Sequence, residues 1–171
     1  CMRGISVTAP RGLIVNPFGP AACGARGIIC FRMFDTLLGA FSKILPDKSP
    51  AANEGGSTAP HIAGRDKNNK PFMISGGLMG CWGGNSSTDG IEGISNPAAN
   101  LGNTPIELLE SRQPVEITKY AFVPNSGGPG RQRGGVALVR GYRLLEENAE
   151  LVVRSDRRSV TPYGLSDGLA G

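Results

Sequence analysis

The sequence predicts an α+β fold in which one long buried helix packs on a turn-rich, largely antiparallel sheet. Apolar residues recur at helical spacing over residues 26–45, whereas short β-type runs dominate the last third of the chain. Glycine (26 of 171 residues) and proline (13) occur in clusters between the apolar segments. This pattern is typical of a globular protein with many tight turns and close backbone contacts.

The predicted helix follows a short β-type run at residues 13–15 and ends at Pro46, which cannot continue a helix. Arg32 and Asp35 lie three residues apart on one face of it, and they are interpreted either as an ion pair or as catalytic groups. Two apolar stripes cover the remaining surface of the helix, so most of the helix circumference is expected to be buried. The stripes are Phe31, Phe34, Leu38, Phe41 and Leu45, and Ile29, Met33, Leu37, Ala40 and Ile44.

The middle of the chain is turn-rich. Residues 46–70 are predicted to form a loop that holds the single histidine, His61, and residues 71–75 are predicted to form a short strand. The first glycine loop, residues 76–93, contains the single tryptophan and the turn dipeptide Asp89-Gly90. It lacks the glycine and lysine spacing of a P-loop and the glycine spacing of a dinucleotide site. Asp89 is therefore either a turn residue or a catalytic carboxylate.

A short second helix is predicted after residue 104. Thr104 can cap it, Pro105 suits the first helical position, and Glu107 completes a capping box, while Pro114 limits its length. Glu107 and Glu110 are candidate catalytic carboxylates on this helix. For Glu107 the reach-back contact of the capping box is the alternative role.

The last third is predicted to be β-rich. The alternation of apolar residues changes phase within residues 115–122, which predicts a bulge near Thr118. Residues 136–156 are predicted to form two strands joined at Glu147-Asn148, in an antiparallel hairpin.

Between these runs lies the second glycine loop, residues 125–135, with the sequence NSGGPGRQRGG. Glycine-rich loops cradle phosphates where backbone N–H groups converge in front of a helix. Here the following residues are β-type, and no Lys-Ser/Thr pair is present, so a turn between two strands is favoured. Arg131 and Arg133 can still bind an anion, and Arg133 can equally hydrogen-bond turn carbonyl groups.

Composition excludes several classes of function. The net charge of +4 is scattered and aromatic residues make up only 6%, which argues against a nucleic-acid surface. No apolar run reaches the roughly 20 residues of a membrane-spanning helix. The four cysteines show no CxxC spacing, and the single histidine cannot build a His-rich metal site. Cys30 is expected to be a small buried apolar residue, in a reduced, cytoplasmic protein.

Ordered motifs over about residues 12 to 171 carry a family resemblance. NPFGPAACGAR and RMFDTLLGAFSKILPDKSPAA are similar to an NP-x-x-PA segment followed by a D-x-LLGAL-x-x-x-LPD-x-x-PA helix. GGLMGCWGGNSSTDGIEG is similar to a GG-x-GA-x-x-x-x-DG-x-DG loop. NTPIELLESRQPVEITKYAFVPNSGGPGRQRGG resembles N-x-P-x-E-x-LE-x-x-x-P and DSGG-x-G-x-x-RGG segments, and SDRRSVTPYGLSDG resembles DR-x-x-x-x-P-x-GL-x-GG. With these motifs the chain resembles the hydantoinase B/oxoprolinase family, the B-type subunits of ATP-dependent N-methylhydantoinases and related carboxylases.

The resemblance implies one part of a cytoplasmic, hetero-oligomeric enzyme. In such enzymes ATP is bound by an A-type subunit, which phosphorylates a carbonyl group, and the B-type subunit supports the step at the activated carbon. That step is ring opening of a small cyclic amide, or carboxylation in the acetone-carboxylase relatives. ATP and a divalent metal are implied for the complete enzyme, with metal ligands in an N-terminal region that nothing in this sequence resembles.

Residues 1–171 are accordingly expected to form a single partial domain, the C-terminal portion of a longer subunit. Alone it is expected to bind no cofactor, membrane or nucleic acid and to be inactive. Asn125 replaces the family's aspartate in DSGG, which removes a carboxylate but keeps a turn-forming side chain. A non-catalytic subunit-interaction domain remains the alternative. The candidate catalytic residues are Arg32, Asp35, Asp89, Glu107, Glu110 and Arg133.

Overall fold

A computed structural model describes residues 4–56, 58–78, 80–99, 101–155 and 157–171. All strand pairs in its two sheets are antiparallel, which confirms the α+β class and the antiparallel sheets. One sheet has the strand order β2-β1-β5 and the other pairs β3 with β4. The elements are α1 (Gly27–Phe41), β1 (Ala59–Arg65), β2 (Pro71–Ser75), α2 (Ile106–Arg112), β3 (Val115–Phe122), β4 (Leu138–Leu144) and β5 (Ala149–Arg154).

The hydrophobic core lies where the two sheets approach each other. Ile62 of β1, Ile74 of β2 and Val115 of β3 form its buried centre, and Val115 is only 1% exposed. Half-buried side chains from both sheets and from α2 pack around this centre, namely Phe72, Leu109, Tyr142 and Leu144. The core is small because many of the large apolar side chains are exposed and do not pack into it.

The strand pairing differs from the sequence prediction in two places. Residues 59–65, predicted as loop, form β1, the central strand of its sheet. The predicted hairpin of β4 and β5 is wrong, because β4 pairs with β3 and β5 pairs with β1. Partners distant in the sequence provide these ladders, so local turn signals do not reveal them. The bulge is confirmed by a register shift between Ile117 and Lys119.

The first helix is shorter and more exposed than predicted. It ends at Phe41 and is followed by turns, and only Phe31 and Asp35 are buried on it. Leu37 is 53% exposed, and Ile44 beyond the helix is 76% exposed. Within the described residues α1 has no extensive contact with either sheet. The expected burial was wrong because helical periodicity shows that a face is apolar, not what covers it.

Local signals also led to wrong details at two places, one near residue 13 and the other at the start of α2. Leu13 and Asn16 form only an isolated bridge, not part of a strand. Helix α2 starts at Ile106, and no side chain caps it. Pro105 is extended (φ −55°, ψ 141°), so the helix begins one residue later and Thr104 is displaced from the capping position. Across the described ranges no helix is long and apolar enough to cross a bilayer.

Candidate functional site: a cleft between glycine-rich loops

The two glycine loops lie against each other although the 31 residues of 94–124 separate them. The Gly90 N–H donates to the Arg133 carbonyl oxygen at 2.7 Å, and the Gly135 N–H donates to the Trp82 carbonyl oxygen at 3.0 Å. A Cβ atom at Gly90 would clash with the Trp82 carbonyl oxygen and the Gly135 nitrogen. Glycine is therefore needed here for close backbone approach.

Two further segments complete a cleft. They are the linking loop, residues 46–56, and the C-terminal segment, residues 157–171. The Ala51 N–H donates to the Gly84 carbonyl oxygen at 2.8 Å, and the Ala52 N–H donates to the Tyr163 carbonyl oxygen at 3.1 Å. The glycine cleft that these segments and the two glycine loops enclose has a volume of about 500 Å³.

The glycine cleft is lined by charged, aromatic and thiol side chains as well as by glycines of both glycine loops. The charged, aromatic and thiol side chains are Asp47, Glu54, Cys81, Trp82, Arg131 and Tyr163. Burial is the main cause that raises the pKa of the Cys81 thiol, and together with the nearby carboxylates of Glu54 and Glu92 it brings that pKa to about 11. At neutral pH Cys81 is therefore a thiol, not a thiolate nucleophile.

The second glycine loop connects β3 to β4, so the element that follows it is a strand and not a helix. Asn125 adopts a left-handed conformation with φ 59°, which asparagine tolerates better than most residues. The Ser126 hydroxyl donates to the Val123 carbonyl oxygen at 2.8 Å and accepts from the Ala137 N–H at 2.7 Å. The observed geometry is that of a connection between paired strands that extends far enough to meet the first glycine loop.

Asp89 and Arg133 meet between the glycine loops. The Arg133 backbone N–H donates to Asp89 Oδ1 at 3.0 Å, and Arg133 Nε lies 3.7 Å from Asp89 Oδ2. Arg133 Nη1 also contacts Glu92 Oε1 at 2.6 Å. The Arg133 side chain is half-exposed and pairs with two carboxylates, so its observed contacts join the two loops.

Asp35 and Arg32 are far more enclosed. Asp35 Oδ2 accepts from Arg157 Nη2 at 2.6 Å, and Oδ1 accepts from the Asn53 N–H at 3.4 Å. Burial raises the pKa of the Asp35 carboxyl from 3.8 to about 6, against the lowering effects of the Asn53 N–H and the Arg32 charge. The short contact with Arg157 also favours the charged carboxylate, so the pair is ionised at neutral pH.

The two predicted carboxylates on α2 are not brought to the glycine cleft. Glu107 lies exposed in the first turn of α2. Glu110 Oε1 accepts from the Ile117 N–H at 2.7 Å, which ties α2 to β3.

Two other predicted residues also differ from expectation. His61 lies in β1 rather than in a loop, and Cys30 is exposed rather than buried.

Sequence reasoning missed four residues that the structure brings to the glycine cleft or directly behind it: Asn53, Glu54, Arg157 and Tyr163. Arg157 and Tyr163 lie within the DR-x-x-x-x-P-x-GL motif, so the motif could have pointed to them. Glu54 and Asn53 lie in a loop without periodicity. Nothing local distinguished them from other polar loop residues.

The described part of the chain contains no group of three or more histidine, cysteine, aspartate or glutamate side chains placed to hold a metal ion. The described residues therefore do not fit the divalent metal implied for the complete enzyme. No step at the glycine cleft is assigned to a metal.

Comparison with known proteins identifies the family. The hydantoinase B/oxoprolinase family model matches residues 1–171. A protein of Pseudomonas sp. (strain NS671), named as the B-type subunit of a D-/L-hydantoinase, is 30% identical over 99% of this chain and 28% of its own length. The 5-oxoprolinase PfmaA of Pestalotiopsis fici is 32% identical over 100% of this chain and 13% of its own length.

A solved structure of acetone carboxylase without nucleotide has a similar fold. It matches with a TM-score of 0.56 at 16% identity, over 65% of this chain and 15% of that one. The chain spans less than a third of the length of the curated relatives above. On the match of the family model to all 171 residues, the chain belongs to the hydantoinase B/oxoprolinase family.

Proposed function

We propose that the chain is part of the B-type subunit of an ATP-dependent hydrolase, and that the glycine cleft holds a small cyclic amide for ring opening. The family match over residues 1–171 carries the proposal. The names hydantoinase and 5-oxoprolinase among the relatives both refer to five-membered rings that contain an amide. In this proposal ATP is bound by an A-type partner subunit, which activates the carbonyl group by phosphorylation.

The glycine cleft is suited to such a ligand. Its volume of about 500 Å³ exceeds what a single five-membered ring needs, so ring substituents or an activating group can be accommodated. The glycines of the lining bring backbone N–H and C=O groups to the cleft surface, and such groups complement the C=O and N–H groups of a ring amide. Trp82 and Tyr163 add aromatic surface for the face of a planar ring.

Glu54 is the proposed proton acceptor. The reaction consumes two waters overall: one is added across the C–N bond, and the other accounts for release of the activating phosphoryl group as inorganic phosphate. A proton must therefore leave the attacking water, and another must reach the departing nitrogen. Glu54 lines the cleft, and its N–H is held by the Cys81 carbonyl oxygen at 3.0 Å. Cys81 is protonated at neutral pH and so does not compete as a nucleophile.

A subunit-interaction role has separate support from the exposed apolar face of α1 and the turns after it. Met33, Leu37, Phe41 and Ile44 are all exposed there. Apolar patches of this kind commonly mark protein interfaces. The two roles are compatible, since the face and the cleft are formed by different residues. The similarity to acetone carboxylase is one of fold and does not favour carboxylation over hydrolysis.

The test is reconstitution of a complete B-type subunit containing this chain with an A-type partner. ADP release is measured with hydantoin and with 5-oxoproline. We expect Glu54→Gln to lower kcat by about 100-fold, the effect of losing a general base. Asp47→Asn is the matched control, because it neutralises another carboxylate of the cleft lining. Absence of amide-stimulated ATP turnover in the unmodified complex would refute the proposed reaction.

A further inference from the structure

We propose that Asp35 and Arg157 are positioning residues of the glycine cleft, joining the linking loop and the C-terminal segment from behind. Neither residue is part of the cleft lining. The inference rests on the proposed function only for the identity of the ligand. It otherwise rests on the contacts around one buried carboxylate.

Two chain segments, the linking loop and the C-terminal segment, converge on Asp35. Its Oδ1 accepts from the Asn53 N–H of the linking loop, and its Oδ2 accepts from Arg157 of the C-terminal segment. Its backbone carbonyl oxygen accepts from the Tyr163 hydroxyl at 2.6 Å. One residue of α1 therefore holds two segments that both line the cleft, and Tyr163 is itself a lining residue.

Two glycines make room for this arrangement. Gly55 has φ +58°, and a Cβ there would lie 2.5 Å from Arg157 Nη2 and also clash with the Asp35 carboxylate. A Cβ at Gly39 would lie 2.7 Å from the Tyr163 hydroxyl oxygen. Side chains at either position would push the partners of Asp35 away from it.

The hydrogen bonds continue from this cluster to the tryptophan of the cleft. Asn53 Oδ1 accepts from the Gly55 N–H at 2.8 Å and from Asn96 Nδ2 at 2.7 Å. Next to Asn96, the Ser95 carbonyl oxygen accepts from Trp82 Nε1 at 2.8 Å. A shift at Asp35 is thereby transmitted to Trp82 through bonded neighbours.

Burial makes the pair difficult to replace. The side chains of Arg157 and Asp35 are 13% and 4% exposed, so removal of one charge leaves the other enclosed without its partner. The Arg143–Glu116 pair likewise joins an arginine to a carboxylate, but on the exposed surface of the β3–β4 sheet. The Arg143–Glu116 pair therefore provides a matched control, because it is an ion pair of the same kind that does not lie behind the glycine cleft.

The experiment uses the single tryptophan of the chain as a reporter. Acrylamide quenching of Trp82 fluorescence and calorimetric affinity for hydantoin are measured for Arg157→Gln and Arg157→Lys. We expect Arg157→Gln to increase quenching and to weaken hydantoin binding about tenfold. Arg157→Lys retains a charged donor, so its Trp82 quenching and its affinity for hydantoin should be close to those of the unmodified chain. Arg143→Gln should change neither.

A stability control separates positioning from general loosening. Ile74→Val removes one methyl group from the core, remote from the cleft lining, and should lower stability without affecting quenching. The inference is overturned if Arg157→Gln leaves both readouts unchanged, or if Ile74→Val changes them as strongly. If Arg157→Gln does not fold, Tyr163→Phe replaces it in the experiment, because this change removes only the hydrogen bond from the Tyr163 hydroxyl to Asp35. Unchanged Trp82 quenching in Tyr163→Phe then overturns the inference.

The two proposals fail in different ways. If the unmodified chain does not bind hydantoin but Arg157→Gln still increases quenching, the positioning role stands and the assigned ligand is wrong. If the unmodified chain binds hydantoin and Arg157→Gln binds it equally well with unchanged quenching, the positioning role is wrong.

Discussion

Replacing Gly90 with alanine tests whether close backbone contact holds the two glycine loops together. The new methyl group would meet the Trp82 carbonyl oxygen and the Gly135 nitrogen, and would lie 3.0 Å from the Gly134 carbonyl carbon. All three are backbone atoms, which cannot rotate away as the end of a side chain can. The loops must therefore separate to admit the methyl group.

Separation disturbs two backbone hydrogen bonds, Gly90 N–H to Arg133 O and Gly135 N–H to Trp82 O. Each contributes about 1 kcal/mol, and overpacking adds about 1–3 kcal/mol. Alanine recovers ~0.5 kcal/mol by restricting the unfolded chain. We therefore expect the free energy of unfolding to fall by about 3 kcal/mol.

Urea denaturation followed by Trp82 fluorescence measures this loss. With a denaturant slope of about 2 kcal/mol/M, the midpoint should fall by roughly 1.5 M. Gly76→Ala is the matched control from the same loop, because apart from its chain neighbours no atom of the described residues lies within 4 Å of the position that its methyl group would take. It should be neutral or slightly stabilising. Equal midpoints for the two variants would refute the close-contact explanation.

Three further predictions concern individual polar groups. Asp89→Ala should lower the free energy of unfolding by about 1 kcal/mol more than Arg133→Ala does, since it also removes the acceptor of a backbone N–H. Urea denaturation midpoints of the two variants measure the difference, and a lower midpoint for Arg133→Ala would contradict the prediction. Cys81, with a pKa of about 11, should react with iodoacetamide at pH 8 at least about tenfold more slowly than exposed Cys30, as followed by mass spectrometry. Because the pKa of Asp35 is raised from 3.8 to about 6, the folded chain retains a proton that the unfolded chain loses in this window. Stability should therefore fall as the pH rises from about 4 to 6, by up to about 3 kcal/mol, and the thermal midpoints of Asp35→Asn should lack this slope.

The sequence predicted elements well where local pattern and tertiary environment agree. The β2 strand and the phase change in β3 are visible in a few residues, and both occur in the structure. The β1 strand was missed because one of its two partners, β5, is far away in the sequence and lies beside it only in the folded chain. Its own residues, APHIAGR, have little β-propensity.

The candidate residues show the same division. The spacing of Arg32 and Asp35 indicated a shared helix face, but Arg157, the observed partner of Asp35, lies 122 residues away along the chain. Asp89 and Arg133 were both candidates, but only the folded loops show that they contact each other. Glu107 and Glu110 suited a catalytic pattern equally well, and the structure leaves both on α2, outside the cleft lining.

The sequence by itself determined the family, the α+β class and the turn character of the second glycine loop. These depend on ordered motifs and on backbone preferences that act over a few residues. Tertiary structure alone decided which loops meet, that a cleft forms between them, and that a buried ion pair lies behind it. Those features depend on contacts between distant segments, and glycine's lack of a side chain permits the closest of these contacts without indicating the partner.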